Sequence, residues 1–180
     1  MNSPGDTARI ELRLRELAQL FNSMDPSPFV DRDLDPAAEE FIVSWARELP
    51  GARDFELVIH VASPPRADRA PDVQDAVRRY FASRAELKQR EFRQLMRRGR
   101  FSLAVGLLFL AACLMLSGLV ARAGAVTTAA VIRESLSIGG WVAMWRPLEI
   151  FLYDLWPMRH ELRLLQRLAR MRVELVLPPS

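Results

Sequence analysis

Residues 101–121 read FSLAVGLLFLAACLMLSGLVA, 21 consecutive residues without a charge. As a helix rising 1.5 Å per residue this stretch is roughly 31 Å long, the thickness of a bilayer's hydrocarbon core. The averages of the 180-residue chain conceal it: half of the residues are hydrophobic, 26% are charged, and the formal net charge is +3. Those averages exclude a disordered chain, a disulfide scaffold and a collagen-like repeat. Cys113, the only cysteine, lies inside the apolar stretch, so neither an internal disulfide nor a cysteine-based zinc site can form.

Outward from this block, the charges are clustered. Arg84, Lys88, Arg90, Arg93, Arg97, Arg98 and Arg100 precede it, and Arg159, Arg163, Arg167, Arg170 and Arg172 lie near the C-terminus; Lys88 is the only lysine. Such runs could bind nucleic acid, but beside a membrane segment they set topology and meet lipid headgroups. The expected partner is therefore the lipid bilayer and not a nucleic acid. No charge lies between Arg122 and Arg133. The positive-inside rule then places both ends in the cytoplasm with a short external loop. Residues 1–10 contain no apolar core of a signal peptide, which also keeps the N-terminal part in the cytoplasm.

Arg9-Ile-Glu-Leu-Arg-Leu-Arg15 alternates apolar and charged residues, the pattern of a half-buried strand. Ile10, Leu14, Leu17 and Phe21 also fit a helix; a strand passing into a helical turn near Leu17 satisfies both patterns. Residues 22–36 form a loop broken by Pro26 and Pro28. Asp35-Pro36 starts a helix as N-cap and first-turn proline, with Ala38, Phe41, Ile42, Trp45 and Leu49 on one apolar face and Pro50-Gly51 at its end. Residues 54–61 form a second strand, completing a βαβ unit, and residues 63–71, with Pro64-Pro65, form a linker. From Asp72 one long helix runs into the membrane. Residues 172–177 alternate again as a third strand, stopped by Pro178-Pro179.

The expected architecture is an α+β membrane protein. A small cytoplasmic α/β domain, βαβ plus a C-terminal strand, carries an inserted two-helix transmembrane hairpin. The divisions are 1–71 (strand, helix, strand), 72–100 (juxtamembrane helix), 101–121 (first span), 122–134 (external loop), 135–157 (second span, kinked) and 158–180 (basic helix and closing strand). An even number of passes also lets the last strand reach the first two.

The second span is the weaker one. Over residues 135–156 it is roughly 33 Å long, but Arg146 falls near its midplane with Glu149 one turn on. Each such charge costs about 2.5 to 3.5 kcal/mol to insert. In one alternative the segment begins at Ala123 and turns along the interface at Pro147, which puts Arg133 and Glu134 at depth. In another it is re-entrant.

Trp145-Arg146-Pro147-Leu148-Glu149 is the densest chemical constellation. Pro147 lacks an N–H, so the Ala143 carbonyl loses its helical partner and the helix kinks. Arg146 can pair with Glu149 at i+3, and Tyr153 at i+4 from Glu149 can share its carboxylate. Arg146, Glu149, Tyr153 and Asp154 are thus either a lipid- or anion-binding site or a structural ion pair. Ser135, Gly139 and Ala143, four apart, form a small-residue face for close helix packing, with the first span or with a neighbouring protomer. Trp141, Trp145, Tyr153 and Trp156 match an interfacial aromatic belt.

Asp31, Asp33 and Asp35 have the spacing of a calcium loop, but Pro36 and Ile42 stand where its glycine and glutamate belong. His60 and His160 fall in no metal-ligand pattern, and no phosphate loop or G-x-S-x-G is present. No catalytic residue, metal or cofactor is expected.

The stretch Gly140-Trp-Val-Ala-Met-Trp-Arg-Pro-Leu-Glu-Ile-Phe-Leu-Tyr-Asp-Leu-Trp-Pro157, with Phe21-Asn-Ser-Met-Asp-Pro-Ser-Pro-Phe29, resembles a family of uncharacterised bacterial two-pass membrane proteins over most of the chain. The resemblance implies a bacterial inner-membrane setting and no particular activity. Two functions remain. One is a structural, accessory or assembly protein that joins a homo-oligomer or another membrane-protein subunit. The other is a lipid-headgroup enzyme or minor transporter subunit using Arg146, Glu149 and Asp154.

Overall fold

The structure, a computed structural model, describes residues 7–49, 54–63, 70–122 and 128–177. It is a mixed helix-and-sheet protein in two units, residues 1–88 with 161–180, and residues 89–160. Pro50-Gly51, Pro64-Pro65, residues 123–127 of the expected external loop and Pro178-Pro179 lie outside the described residues.

The first unit is built on three parallel strands in the order β1 (Ala8–Leu14), β2 (Phe55–Val61), β3 (Arg172–Val176). In register, Ile10, Leu57 and Val173 form one row, and Leu12, Ile59 and Leu175 the next. These rows lie on the same face because side chains alternate along a strand. Central β2 is buried nearly throughout, including Val58 on its opposite face. After β1, a short 3-10 turn at Leu17–Leu20 buries Leu17 and Leu20, with Arg15 N–H donating to Gln19 Oε1 at 2.9 Å. Strand and helical patterns therefore overlap in this segment because both are used in succession.

The aspartates of the following loop have structural partners. The Asp25 carboxylate accepts the Asp33 N–H at 2.7 Å and the Ser27 N–H at 2.9 Å. These bonds, the Asp33 one foremost, hold its pKa at about 2. Asp31 pairs with Arg79 at 3.2 Å. Asp35 accepts the Ala37 N–H at 2.9 Å as N-cap of α1 (Pro36–Glu48).

The buried stripe of α1 is Ala38, Ile42 and Ala46; of the expected face, Ala38 and Ile42 belong to it, Phe41 and Leu49 pack partly buried against the core, and Trp45 does not join it. Alanines one turn to either side of Ile42 let the helix lie close to the core. Phe41 is only partly buried and Trp45 is 45% exposed, their rings 6.0 Å apart at the rim.

Helix α2 (Ala70–Arg122) is one uninterrupted element. Its first turns are part of the first unit rather than a separate juxtamembrane helix, since Val73, Ala76, Val77, Phe81 and Ala85 enter the same core. Helix α4 (Leu155–Leu168) contributes Leu164, Leu165 and Leu168, followed by Met171. Glu39 of α1 accepts from Tyr80 Oη at 2.6 Å and from Arg84 Nη2 at 2.8 Å. Burial and this hydrogen bond push the Tyr80 phenol well above its usual pKa, and the same carboxylate raises that of Arg84. Lys88 pairs with Glu161 at 2.9 Å at the point where α2 leaves this unit and α4 enters it.

Two measurements on the full chain in detergent check this core. Phe81→Ala should lower unfolding stability by about 3–5 kcal/mol, whereas Trp45→Ala at the rim should cost less than about 1 kcal/mol. The depressed Asp25 pKa makes its contribution complete above the unfolded value of 3.8 and lost as pH falls through about 2. Asp25→Asn should therefore flatten the acid limb of the stability profile between those values and leave its slope at neutral pH unchanged.

Candidate functional site

The second unit, residues 89–160, holds the remainder of α2, α3 (Thr128–Glu149), a π-helical turn at Ile150–Asp154 and the start of α4. α3 begins inside the span expected as an external loop, so Glu134 is helical rather than part of a connection. The helix also continues through Pro147, and a wider turn appears just beyond it. Leu155 N–H reaches back five residues to the Ile150 carbonyl, the wider turn of a π-segment.

Glycines fix how α2 and α3 meet. A Cβ built on Gly99 would lie 3.1 Å from Ile150 and 3.2 Å from Phe151. One on Gly106 would lie 3.2 Å from the Ala143 carbonyl oxygen and 3.4 Å from Pro147, and one on Gly140 would lie 2.7 Å from Leu110. Partners of rising number on α2 have falling numbers on α3, so the helices run antiparallel. Gly99, Gly106 and Cys113 are seven apart, while Gly140, Ala143, Pro147 and Ile150 alternate by three and four. That is the 3.5-residue repeat of a left-handed helix pair. Gly140, Pro147 and Ile150 are buried.

Of the expected small-residue face, only Ala143 lies on this seam. A Cβ on Gly139 would meet nothing within 4 Å, and Ser135 is exposed. The row of spacing four misses because the seam follows a period of 3.5 and passes through the adjacent glycine.

Arg146 Nη1 donates to Glu149 Oε2 at 2.8 Å. The pair is not buried within the chain: the side chains are 68% and 43% exposed. Tyr153 makes no hydrogen bond to Glu149 and is 71% exposed, and Asp154 is exposed on the π-turn. The four residues therefore contain one ion pair and no convergent pocket. Gly99 is level with Ile150, so Arg146 stands roughly one turn along the axis from the level of Arg100, the last charge before the apolar block.

Large apolar side chains cover the outside of this unit. Phe101, Leu107, Leu108, Met115 and Leu119 of α2 and Trp141, Val142 and Trp145 of α3 are all exposed, and only 11% of the most apolar 18-residue stretch of α2 is buried. In the first unit, a hollow of about 320 Å³ at the carboxyl ends of the strands is lined by Arg13, Leu14, His60, Val61, Val176 and Leu177. Open parallel sheets bind ligands at that end, but this lining is mostly apolar, and the His60 Nε2 lies 3.9 Å from the nearest Glu11 oxygen.

Local patterns could not reveal the Glu39–Tyr80–Arg84 and Lys88–Glu161 contacts, whose partners lie far apart in sequence. Spacing could have suggested the seam, because small residues and proline at Gly140, Ala143 and Pro147 alternate by three and four.

The seam predicts opposite outcomes at adjacent glycines. Gly140→Leu and Gly106→Val should each weaken the helix pair enough to lower the melting temperature of the full chain in detergent by several degrees. Gly139→Leu should leave it within about a degree, because open space lies where the side chain would stand.

No family model matches the chain, and neither a curated protein nor a solved structure gives a match.

Proposed function

We propose that this chain is an integral protein of a bacterial inner membrane, in which a two-pass helical hairpin tethers a cytoplasmic α/β unit. Its role is structural or accessory, in a homo-oligomer or a larger membrane complex. The observation that carries the reading is the exposed apolar surface of α2 over the uncharged stretch. A run of large hydrophobic side chains facing outward is unfavourable in water and favourable in lipid. The one long apolar helix is by itself evidence of membrane association, and the second pass draws on two further observations. β3 pairs with β2, so a chain that crosses through α2 must return to the side it left. The antiparallel seam, moreover, sets α3 level with the uncharged stretch of α2.

This register eases the cost that a charge within the second span would impose. One turn from the boundary, the Arg146 guanidinium can reach the headgroup region along its apolar stem. Glu149 pairs with it there, in a partly wet setting where such i,i+3 pairs contribute about 0.2–0.5 kcal/mol. The same position supports a structural part for the pair over an enzymatic or transport site built from Arg146, Glu149 and Asp154.

Reporter fusions test the topology. A fusion after residue 180 should report a cytoplasmic location and one after residue 127 an external one. A C-terminal reporter active outside the cell sinks the two-pass arrangement. The chain in nanodiscs should give a native mass spectrum with more than one copy or with a second subunit.

A further inference from the structure

We infer that the chain selects anionic phospholipids through an arginine collar at the start of its apolar block, formed by Arg97, Arg98 and Arg100 of α2. The inference rests on the membrane reading above and adds the partner and the residues. All three arginines are exposed, and none makes an ion pair or hydrogen bond among the described residues. Gly99, between them, is buried against Ile150 and Phe151. With 100° of turn per residue, Arg98 and Arg100 flank the seam on opposite sides and Arg97 lies on the far side of the helix. Charge therefore surrounds α2 on every face that α3 does not cover.

The same contact sets the depth of the collar. Taken from Ile150, Tyr153 lies roughly 4.5 Å and Trp156 roughly 9 Å along the axis, and these side chains are 71% and 80% exposed. Amphipathic rings of this kind settle at the headgroup level, which puts the guanidinium groups among the phosphates. Among the described residues of this unit, the acids near this level are Glu149, engaged by Arg146, and the exposed Asp154. The local charge is thus strongly positive. Guanidinium groups bind phosphate oxygens in a multidentate manner, and each arginine close to an anionic surface contributes about 1 kcal/mol, roughly a fivefold gain in affinity.

The test uses the full chain reconstituted in phosphatidylcholine vesicles, with Trp45→Phe to silence the tryptophan of the first unit. Quenching of Trp141, Trp145 and Trp156 by brominated phosphatidylglycerol and by brominated phosphatidylcholine gives the relative association of the two lipids. The phosphatidylglycerol preference should be severalfold at low salt and decline as sodium chloride is raised. It should approach one in the triple variant Arg97→Gln, Arg98→Gln, Arg100→Gln. A wild-type ratio near one, or a preference that the triple variant retains, overturns the proposal. If the variant does not fold, the wild-type salt titration decides, and a preference insensitive to salt counts against the collar. Carbonate extraction run in parallel keeps the two readings apart. Release of the wild-type chain from native membranes sinks the membrane reading itself, whereas a retained chain without lipid preference sinks only the collar.

Discussion

Strand β2 bonds on one side to β1 and on the other to β3, a strand that the chain forms only after completing α2, α3 and α4. A three-stranded parallel sheet has no hairpin to hold it, and its strands must be brought together by the segments between them. The remaining structure follows from that return. Residues 89–160 become an insertion with both ends at the same unit, and α2 and α4 must stand near one another where they enter and leave it. Two contacts meet this requirement: Lys88 pairs with Glu161, and Arg78 Nε donates to the Met171 carbonyl at 3.0 Å just before β3 begins. Whatever medium surrounds the insertion, the chain must come back from it on the side where it left.

The sheet also shows how a parallel arrangement survives with helices on one face. Parallel sheets are ordinarily covered on both sides. Here the core face meets α1, α2 and α4, while the other carries Arg9, Glu56 and Arg172 in one row, with N···O separations of 3.8 and 3.9 Å about the glutamate. Glu11 and His60 stand further along. Such pairs contribute little stability, but the charges on this face prevent the strands from slipping by one residue, which would turn them into the core.

These features differ in how openly the sequence displays them. The three strands were legible because alternation is local: seven residues such as Ala8–Leu14 reveal it without reference to anything else. The uncharged run, the continuous α2 and the Asp35-Pro36 start of α1 are local in the same sense. The buried face of α1 was legible only in part: Ala38 and Ile42 lie on the expected face, but the large ring of Trp45 outweighs Ala46 in any hydrophobic pattern, although Ala46 is buried and Trp45 is 45% exposed. The role of Val73, Val77 and Phe81 was not legible, since they read equally well as the start of a membrane-entering helix and as part of a domain core. The level of Arg146 along the helix pair was not legible either, because it depends on the register of the neighbouring helix. That register is set by Gly99, Gly106 and Gly140, whose partners lie in the other helix.

That register also joins two residues that look unfavourable when read separately. Gly106 interrupts the apolar run of α2 with a poor helix former, and Pro147 deprives the Ala143 carbonyl of its helical donor. At the seam they meet: a Cβ on Gly106 would stand 3.2 Å from the Ala143 oxygen and 3.4 Å from Pro147, so only a residue without a side chain lets α2 lie against the carbonyl that the proline leaves open. Covering that carbonyl matters most where no water is available, since an unsatisfied carbonyl in an apolar medium costs several kcal/mol. Any larger residue at position 106 would push α2 away and remove the shielding. The glycine and the proline are thus complementary, and the close antiparallel packing of the two helices depends on both.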